Sequence, residues 1–545
     1  MRKYSRVVEM NNYFLRNNKK IKNLILLVSW SLVAVFLIFH HAMWRDEVRN
    51  FMLAIGTTSR LHLLGNPHPF LMYKIEQFFY WITESYWVLP ISSFFISFLT
   101  VLIIIFLSPF NFKIKIMMAF GYPLLYEYTV MCRNYGMSAL LMLALPLVMN
   151  SKKYKYILSG PILFFLANTN VHSSLIVLAF SCLWPLNAWY QNGKKWTDDT
   201  RKTVMNSMVG ILGFFVCFGT IYPTRYDLAA VRPIKIAFNH DFYFFQHLTL
   251  YDFKDYIFSY LGHGPLSKSV YKIISVISYL SIALSTLMLW GDVFLFSVAI
   301  LVMVGLSAFF YVVYPGEYRH QALWIMLVFA LAWMKKNNAQ AVHKKTINNI
   351  GLASFYTMLG IQCLLSLLLS FHELIEPNSR SKEFYAFMKM HDDIKESPML
   401  SSLDYTLEAM PYYTKKPVFM MSLNDFDYVV PYRGVFNYNL DDLLTAAQKL
   451  AACSEYPPLI LIVNDSNKTK EFTSKITNIM DEDQEEFVRH YMYNQWTFTI
   501  TSEQKKRFLM NAHEIARYPN GYLEDGFVVY KLNVQNVPKT TCEKK

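Results

Sequence analysis

The sequence predicts a mostly α-helical, polytopic membrane bundle of about eleven transmembrane helices, followed by a C-terminal extracytoplasmic α/β domain. Three observations predict it. Of 545 residues, 54% are hydrophobic and only 17% charged, against about 25% charged in an ordinary soluble domain; the mean hydropathy is +0.22. Apolar runs of membrane-crossing character recur along residues 1–371. Residues 372–545 lose that character and turn polar.

A helix needs about 20 apolar residues to cross a bilayer. Candidate cores are 24–39, 89–107, 114–130, 137–149, 156–167, 175–190, 204–222, 273–290, 293–311, 323–334 and 350–369. The shorter ones must extend into their flanks. Residues 1–23 are polar and basic, and a run long enough to span follows them, a pattern unlike a cleaved signal peptide. One further apolar stretch, 69–82, is short and carries Lys74 and Glu76.

Charge settles what to do with that stretch. With the N-terminus (Arg16, Lys19, Lys20, Lys22) in the cytoplasm and 69–82 lying in the interface, the basic loops fall inside. These hold Lys113/Lys115, Lys152/Lys153/Lys155, Lys194/Lys195/Arg201/Lys202 and Lys335/Lys336/Lys344/Lys345. Were 69–82 to cross, all of these would move outside. A surface-lying segment is therefore expected there, in a cell (inner) membrane protein whose C-terminal domain is extracytoplasmic. The formal charge of +13 is explained by the same loops, so nucleic acid is not an expected partner.

The tail, about 170 residues, is large enough to be a domain. Helix-like runs at 382–391, 440–452 and 469–490 alternate with strand-like runs at 417–421, 458–463 and 526–532. It has no Gly-rich phosphate loop, which argues against nucleotide binding. The six cysteines show neither CxxC nor Cys/His metal spacing. Cys453 and Cys542 could pair in an oxidising compartment.

Polar residues gather at the expected outer ends of the spans. The first outer loop, 40–88, opens with His40-His41-Ala42-Met43-Trp44-Arg45-Asp46-Glu47. The plainer reading of its acidic pair is a helix start, with Asp46 as the cap and Glu47 in the first turn. Four more clusters follow: Asn66-Pro67-His68-Pro69; Tyr126-Glu127-Tyr128 with Arg133-Asn134-Tyr135; Asn168-Thr169-Asn170-Val171-His172; and Tyr314-Pro315-Gly316-Glu317-Tyr318-Arg319-His320. Any one fits an ordinary water-facing loop. Five on one face suggest a shared cavity. Such a cavity suits a lipid-phosphate sugar: Arg and His neutralise the phosphate, and a carboxylate takes the proton of an acceptor hydroxyl. No nucleotide or other cofactor is needed.

At these residues the chain resembles the GT-C glycosyltransferase superfamily, in particular bacterial membrane proteins related to protein O-mannosyltransferases and aminoarabinose transferases. The resemblance rests on Trp44-Arg45-Asp46-Glu47, His68-Pro69, Tyr126-Glu127 with Arg133-Asn134-Tyr135, the 168–172 turn and Tyr318-Arg319-His320. It covers roughly residues 20–335, and Asp404-Tyr405 with Pro411-Tyr412-Tyr413 in the tail fits it too. It implies a helical bundle with interfacial helices, a polyprenyl-phosphate sugar donor and inversion at the anomeric carbon. Asp46 becomes the candidate base and Glu47 its neighbour in the site. Arg133, Arg319 and His320 become phosphate-side candidates, although Gln321-Ala322 stands where a second His or Gly is expected. His68, Glu127, Tyr135, His172 and Glu317 complete the candidate substrate-binding set. Some relatives use a divalent metal; no ligand set here points to one. Expected partners are the donor, membrane lipids, and a glycan, lipid or protein acceptor.

Three other readings compete. A transporter or flippase should show internal repeats and charge along a central path, and neither is evident. A lipid-linked glycan polymerase or ligase would differ mainly in its acceptor. A receptor would not need charge at five outer turns.

Overall fold

The computed structural model describes residues 2–57, 68–221, 245, 248–249, 264–313, 316–337, 345–430, 435–464, 480, 486–491, 496–521 and 523–533. Ten of the eleven apolar runs lie in helix over nearly all their described residues; the run 114–130 is broken at Gly121 and ends in a turn at 128–130. The helices, in chain order, are α1 (Arg2–His40), α2 (Arg45–Ile55), α3 (Phe70–Thr83), α4 (Val88–Leu102), α5 (Phe112–Phe120), α6 (Tyr135–Met149), α7 (Lys155–Ala167), α8 (Val171–Gln191) and α9 (Asp198–Thr220). Beyond the loop come α10 (Pro265–Ser285), α11 (Val293–Val312), the single turn α12 (Tyr318–Gln321), α13 (Leu323–Asn337) and α14 (Lys345–Ile375). Among the described residues seven helical stretches are long and apolar enough to cross a membrane, and α6 and α7 are shorter apolar helices. The protein is a polytopic membrane bundle.

Two π-helical turns interrupt the first half of the bundle, Ile103–Leu107 after α4 and Pro123–Glu127 after α5. In the second, the N–H of Tyr128 donates to the Pro123 carbonyl at 2.9 Å. The wider turn ends the helix one element early and swings the chain into the 128–134 turn that carries Arg133. Turns of this kind often mark functional positions.

Helix α3 has 14 residues, about 21 Å of helix, against a hydrocarbon core of about 30 Å. Met72 and Glu76 are buried, while Phe78, Phe79, Trp81 and Ile82 are exposed. One face of α3 thus packs against the protein while the other presents large apolar side chains outward.

At one end of the bundle, basic side chains finish helices. Lys115 donates to the Ile105 carbonyl at 2.5 Å, and Lys335 to the Met288 and Trp290 carbonyls at 2.8 and 2.7 Å. Residues that the sequence presents as topology markers thus also satisfy orphan carbonyls at helix C-termini. Helix α1 leads from this end, where Asn23 also reaches the Ile105 carbonyl, to the other, where the C-terminal unit sits.

That unit has its own apolar core. Helices α15 (Ser381–Met390), α16 (Met410–Thr414), α17 (Leu440–Cys453) and α18 (Ser502–Asn511) pack with three sheets. The largest has the order β1-β5-β9-β8 (Met399–Ser401, Leu459–Val463, Phe527–Leu532, Ala512–Tyr518). The β1–β5 pair is parallel and the others antiparallel. A hairpin, β2-β3 (Val418–Met420, Asp425–Asp427), and a second sheet, β4-β7-β6 (Phe436–Asn439, Trp496–Thr501, Glu486–Tyr491), complete it. The α/β reading holds, with one correction. The expected helix at 469–490 is strand β6 over its last residues, where Glu486 to Tyr491 pair antiparallel with β7. Partnering across the sheet overrides the helical composition of the segment; 469–479 and 481–485 lie outside the described residues. Cys453 is disulfide-bonded, and its expected partner Cys542 lies outside them as well.

The unit is bolted to the first loop rather than tethered beside it. Arg49 of α2 donates to Glu408 and to the Val430 carbonyl, both at 2.6 Å. The Tyr413 hydroxyl accepts the Met43 N–H at 2.8 Å. Met43, Val48, Phe51 and Met52 share an apolar cluster with Ala409 and Val429.

Candidate functional site

The start of α2 decides which carboxylate is available for chemistry. The N-cap is Trp44, so Asp46 is not the cap the sequence suggests. Glu47 stands at the third helical position and reaches back to accept the Trp44 N–H at 3.1 Å. Its other oxygen accepts the Cys132 N–H at 2.5 Å. Glu47 is fully buried and works as a backbone clamp between two segments. Asp46, one residue earlier, points the other way.

There the Arg133 guanidinium donates to Asp46 Oδ2 at 2.8 Å, and Arg319 approaches the same oxygen to 3.8 Å. Arg45 Nε stands 3.7 Å from Oδ1. Both Arg133 and Arg319 are buried, whereas the Asp46 side chain keeps 31% of its exposure. Withdrawal from water pushes the Asp46 carboxyl up, but Arg133, Arg45 and Arg319 outweigh that and hold it well below the usual carboxylate range.

Arg319 is aimed by its own neighbours. Glu317 pairs with it at 2.6 Å, and the Trp44 ring lies 5.8 Å from its guanidinium carbon, within cation–π range. The loop can present both because Gly316 adopts φ +75°, where a Cβ would also meet the Phe310 ring at 2.7 Å. His320 accepts the Glu317 N–H on Nδ1 at 2.8 Å, which fixes its neutral form with the proton on Nε2. Burial, with His172, Arg319 and Arg133 nearby, pushes its pKa well below the usual imidazole range.

The other candidates fall into two groups. His68 lies 3.4 Å from Arg133; burial and that arginine push its pKa down to about 3. The His172 ring is 4.4 Å from that of His320, and Tyr135 meets His320 edge-on at 5.2 Å. Among the described residues neither nitrogen of the buried His172 has a hydrogen-bond partner. These residues, with Asp46, Arg133, Glu317 and Arg319, form one polar cluster. Glu127 and Glu47 stand a layer behind it: Glu127 accepts the Tyr122 hydroxyl at 2.9 Å, and the Tyr122 ring lies tilted 4.1 Å from that of Tyr318.

No known family profile matches the chain, and no curated protein matches it. Among solved structures it is similar to the crystal structure of ArnT from Cupriavidus metallidurans in the apo state. The identity is 11% and the TM-score 0.44, over 93% of this chain and 97% of that one.

Among the described residues, the guanidinium groups of Arg45, Arg133 and Arg319 gather around Asp46 and Glu317, and their planar forks suit phosphate oxygens. Among the described residues no three His, Cys, Asp or Glu side chains are placed to hold a metal ion.

Several participants escape a reading by sequence. Trp44 and Arg45 stand in the motif Trp44-Arg45-Asp46-Glu47, yet nothing in the sequence gives them a part in the site. Tyr405, whose ring lies 5.0 Å from the Arg45 guanidinium carbon, and Glu524, which accepts the Arg45 N–H at 2.8 Å, belong to the C-terminal unit. The familiar look of Asp404-Tyr405 was the one available signal. His41 carries a signal only in retrospect, since the buried imidazole bridges Glu47 at 3.0 Å and Glu373 at 2.9 Å.

Proposed function

We propose that the protein is an inverting membrane glycosyltransferase of GT-C type, moving a sugar from a polyprenyl-phosphate donor to an extracytoplasmic glycan, lipid or protein acceptor. The observation that carries this reading is the Asp46 carboxylate, approached on one oxygen by two buried arginines, faced on the other by Arg45 at 3.7 Å, and still 31% exposed. A donor phosphate entering beside Arg133 and Arg319 takes up the positive charge that keeps Asp46 a weak base. Its pKa then rises toward the ordinary range just when a hydroxyl has to be deprotonated. The acceptor oxygen attacks the anomeric carbon from the side opposite the phosphate, the bond to the phosphate oxygen breaks, and the hydroxyl proton passes to Asp46. The arginine forks stabilise the departing phosphate. His68 and His320, kept neutral among the cations, offer hydrogen bonds without adding charge, and His172 and Tyr135 offer an imidazole and a hydroxyl beside them. Glu47 acts through Asp46 as a positioning residue.

Mass spectrometry of envelope glycans and glycolipids, with the gene present and deleted, tests the reading: a sugar modification should vanish with the gene. An unchanged glycan profile would sink it. Arg319→Lys keeps the charge but not the fork, and should raise the donor KM by about tenfold, roughly 1.4 kcal/mol, while the acceptor KM stays put. Equal effects on both would remove Arg319 from the phosphate side. The proposed orientation places the N-terminus in the cytoplasm, so a reporter fused after Lys545 should be active outside it; cytoplasmic activity would overturn the topology.

A further inference from the structure

The first turn of α2 has backbone N–H groups that need acceptors. Glu47 serves that of Trp44. The next, on Arg45, is served from 479 residues away in sequence, by Glu524 Oε1 at 2.8 Å. Glu524 sits in a loop pressed against the linker between α14 and α15. The N–H groups of Leu523 and Glu524 both donate to the Asn378 carbonyl at 3.2 Å. The approach is close enough that a Cβ on Gly521 would meet the Asn378 carbonyl oxygen at 2.5 Å. Asn378 in turn donates to the Tyr126 hydroxyl at 2.8 Å, which donates to Glu373 at 2.6 Å. The C-terminal unit is thus hydrogen-bonded on one side to the helix that bears Asp46 and on the other to the bundle.

We infer that Glu524 is a positioning residue for Asp46: the C-terminal domain supplies the acceptor for the Arg45 N–H in the first turn of α2, beside the Trp44 N–H that Glu47 already serves, and so completes the active site. The inference rests on the transferase reading for its functional half. A side-chain acceptor at a helix start is worth about 1 kcal/mol, and an acidic one also suits the positive end of the helix dipole. Here the residue it fixes lies one position before Asp46, so looseness at the cap becomes misplacement of the base, and small misplacements cost large factors in rate. Burial pushes the Glu524 carboxyl up to about 7, so an amide that accepts the same hydrogen bond is a close substitute for it.

The test uses the full chain in lipid nanodiscs and in cells. Amide hydrogen exchange is followed in the peptide containing Arg45 to Glu47, and gene-dependent glycan product is measured by mass spectrometry. Glu524→Ala and Gly521→Ala should each speed exchange there about fivefold or more and reduce product about tenfold. Glu524→Gln should stay near wild type in both. Product lost in Glu524→Gln as in Glu524→Ala, with exchange unmoved, would show that the charge acts directly and would overturn the positioning role. So would fast exchange with undiminished product, or no change in any variant. Exchange needs no substrate and judges the cap alone; wild-type cells lacking any gene-dependent glycan would instead sink the transferase reading.

Discussion

Asp46→Asn is expected to lower turnover roughly 10²–10⁴-fold, the span that positioned proton transfer contributes, and to leave donor binding undiminished. The amide matches the carboxylate in size, and its oxygen can still accept the Arg133 N–H that Asp46 holds at 2.8 Å. Asp46 lies in α2, outside the apolar stretches that cross the membrane, so insertion is expected to proceed normally. What disappears is the negative charge between Arg133 and Arg319. Both arginines are then released to the donor, and polyprenyl phosphate without sugar should bind at least as tightly as to the wild type. Turnover and donor affinity moving apart is the signature of a base; both falling together would mean that Asp46 merely shapes the site. Full activity would remove it from the mechanism.

The bundle was legible because a membrane core leaves few choices. A run such as 293–311 has to satisfy its backbone internally and so becomes α11. The site was legible as a set of clusters for a related reason, since charge near lipid has to be partnered. Arg133 and Arg319 converge on Asp46 from loops that the sequence placed on the same face. Roles within clusters depend on one or two residues of helical phase, which composition does not encode. Moving the N-cap from Asp46 to Trp44 exchanges the free and the clamped carboxylate. The 168–172 cluster divides in the same way. Asn170 caps α8 by accepting the Ser173 N–H at 2.8 Å, and Asn168 donates to the Phe164 and Gly213 carbonyls at 2.8 and 3.1 Å. Only His172 is left to the site. The contribution of Glu524 was out of reach because nothing local ties residue 524 to residue 45; that contact exists only once the C-terminal unit has docked.

The second large effect belongs to His41. Its imidazole is enclosed between Glu47 and Glu373, and the three side chains are almost wholly without solvent. Burial pushes the His41 pKa down, but the two carboxylates outweigh it and raise it from an ordinary 6.5 to about 10. Protonated, His41 donates to both. His41→Ala removes the imidazolium that bridges these two buried carboxylates, and breaking a buried pair this way costs roughly 3–5 kcal/mol. Thermal unfolding of the purified protein should show a large drop in Tm, with activity lost as well. Adding Glu373→Gln should recover part of the Tm, because the remaining carboxylate, Glu47, keeps its Trp44 and Cys132 N–H donors. Since the folded-state pKa lies above the ordinary one, the stabilisation from His41 is complete below about pH 6.5 and is lost as pH rises through about 10. Wild-type Tm should therefore fall over that window more steeply than the Tm of the double variant. Parallel pH profiles, or a single variant as stable as the wild type, would show that the bridge is not held by charge. Asp46 would then depend for its placement on the two backbone hydrogen bonds of Glu47, which an uncharged Glu47→Gln side chain is not expected to reproduce in full, since an amide cannot offer the charged acceptor that strengthens both.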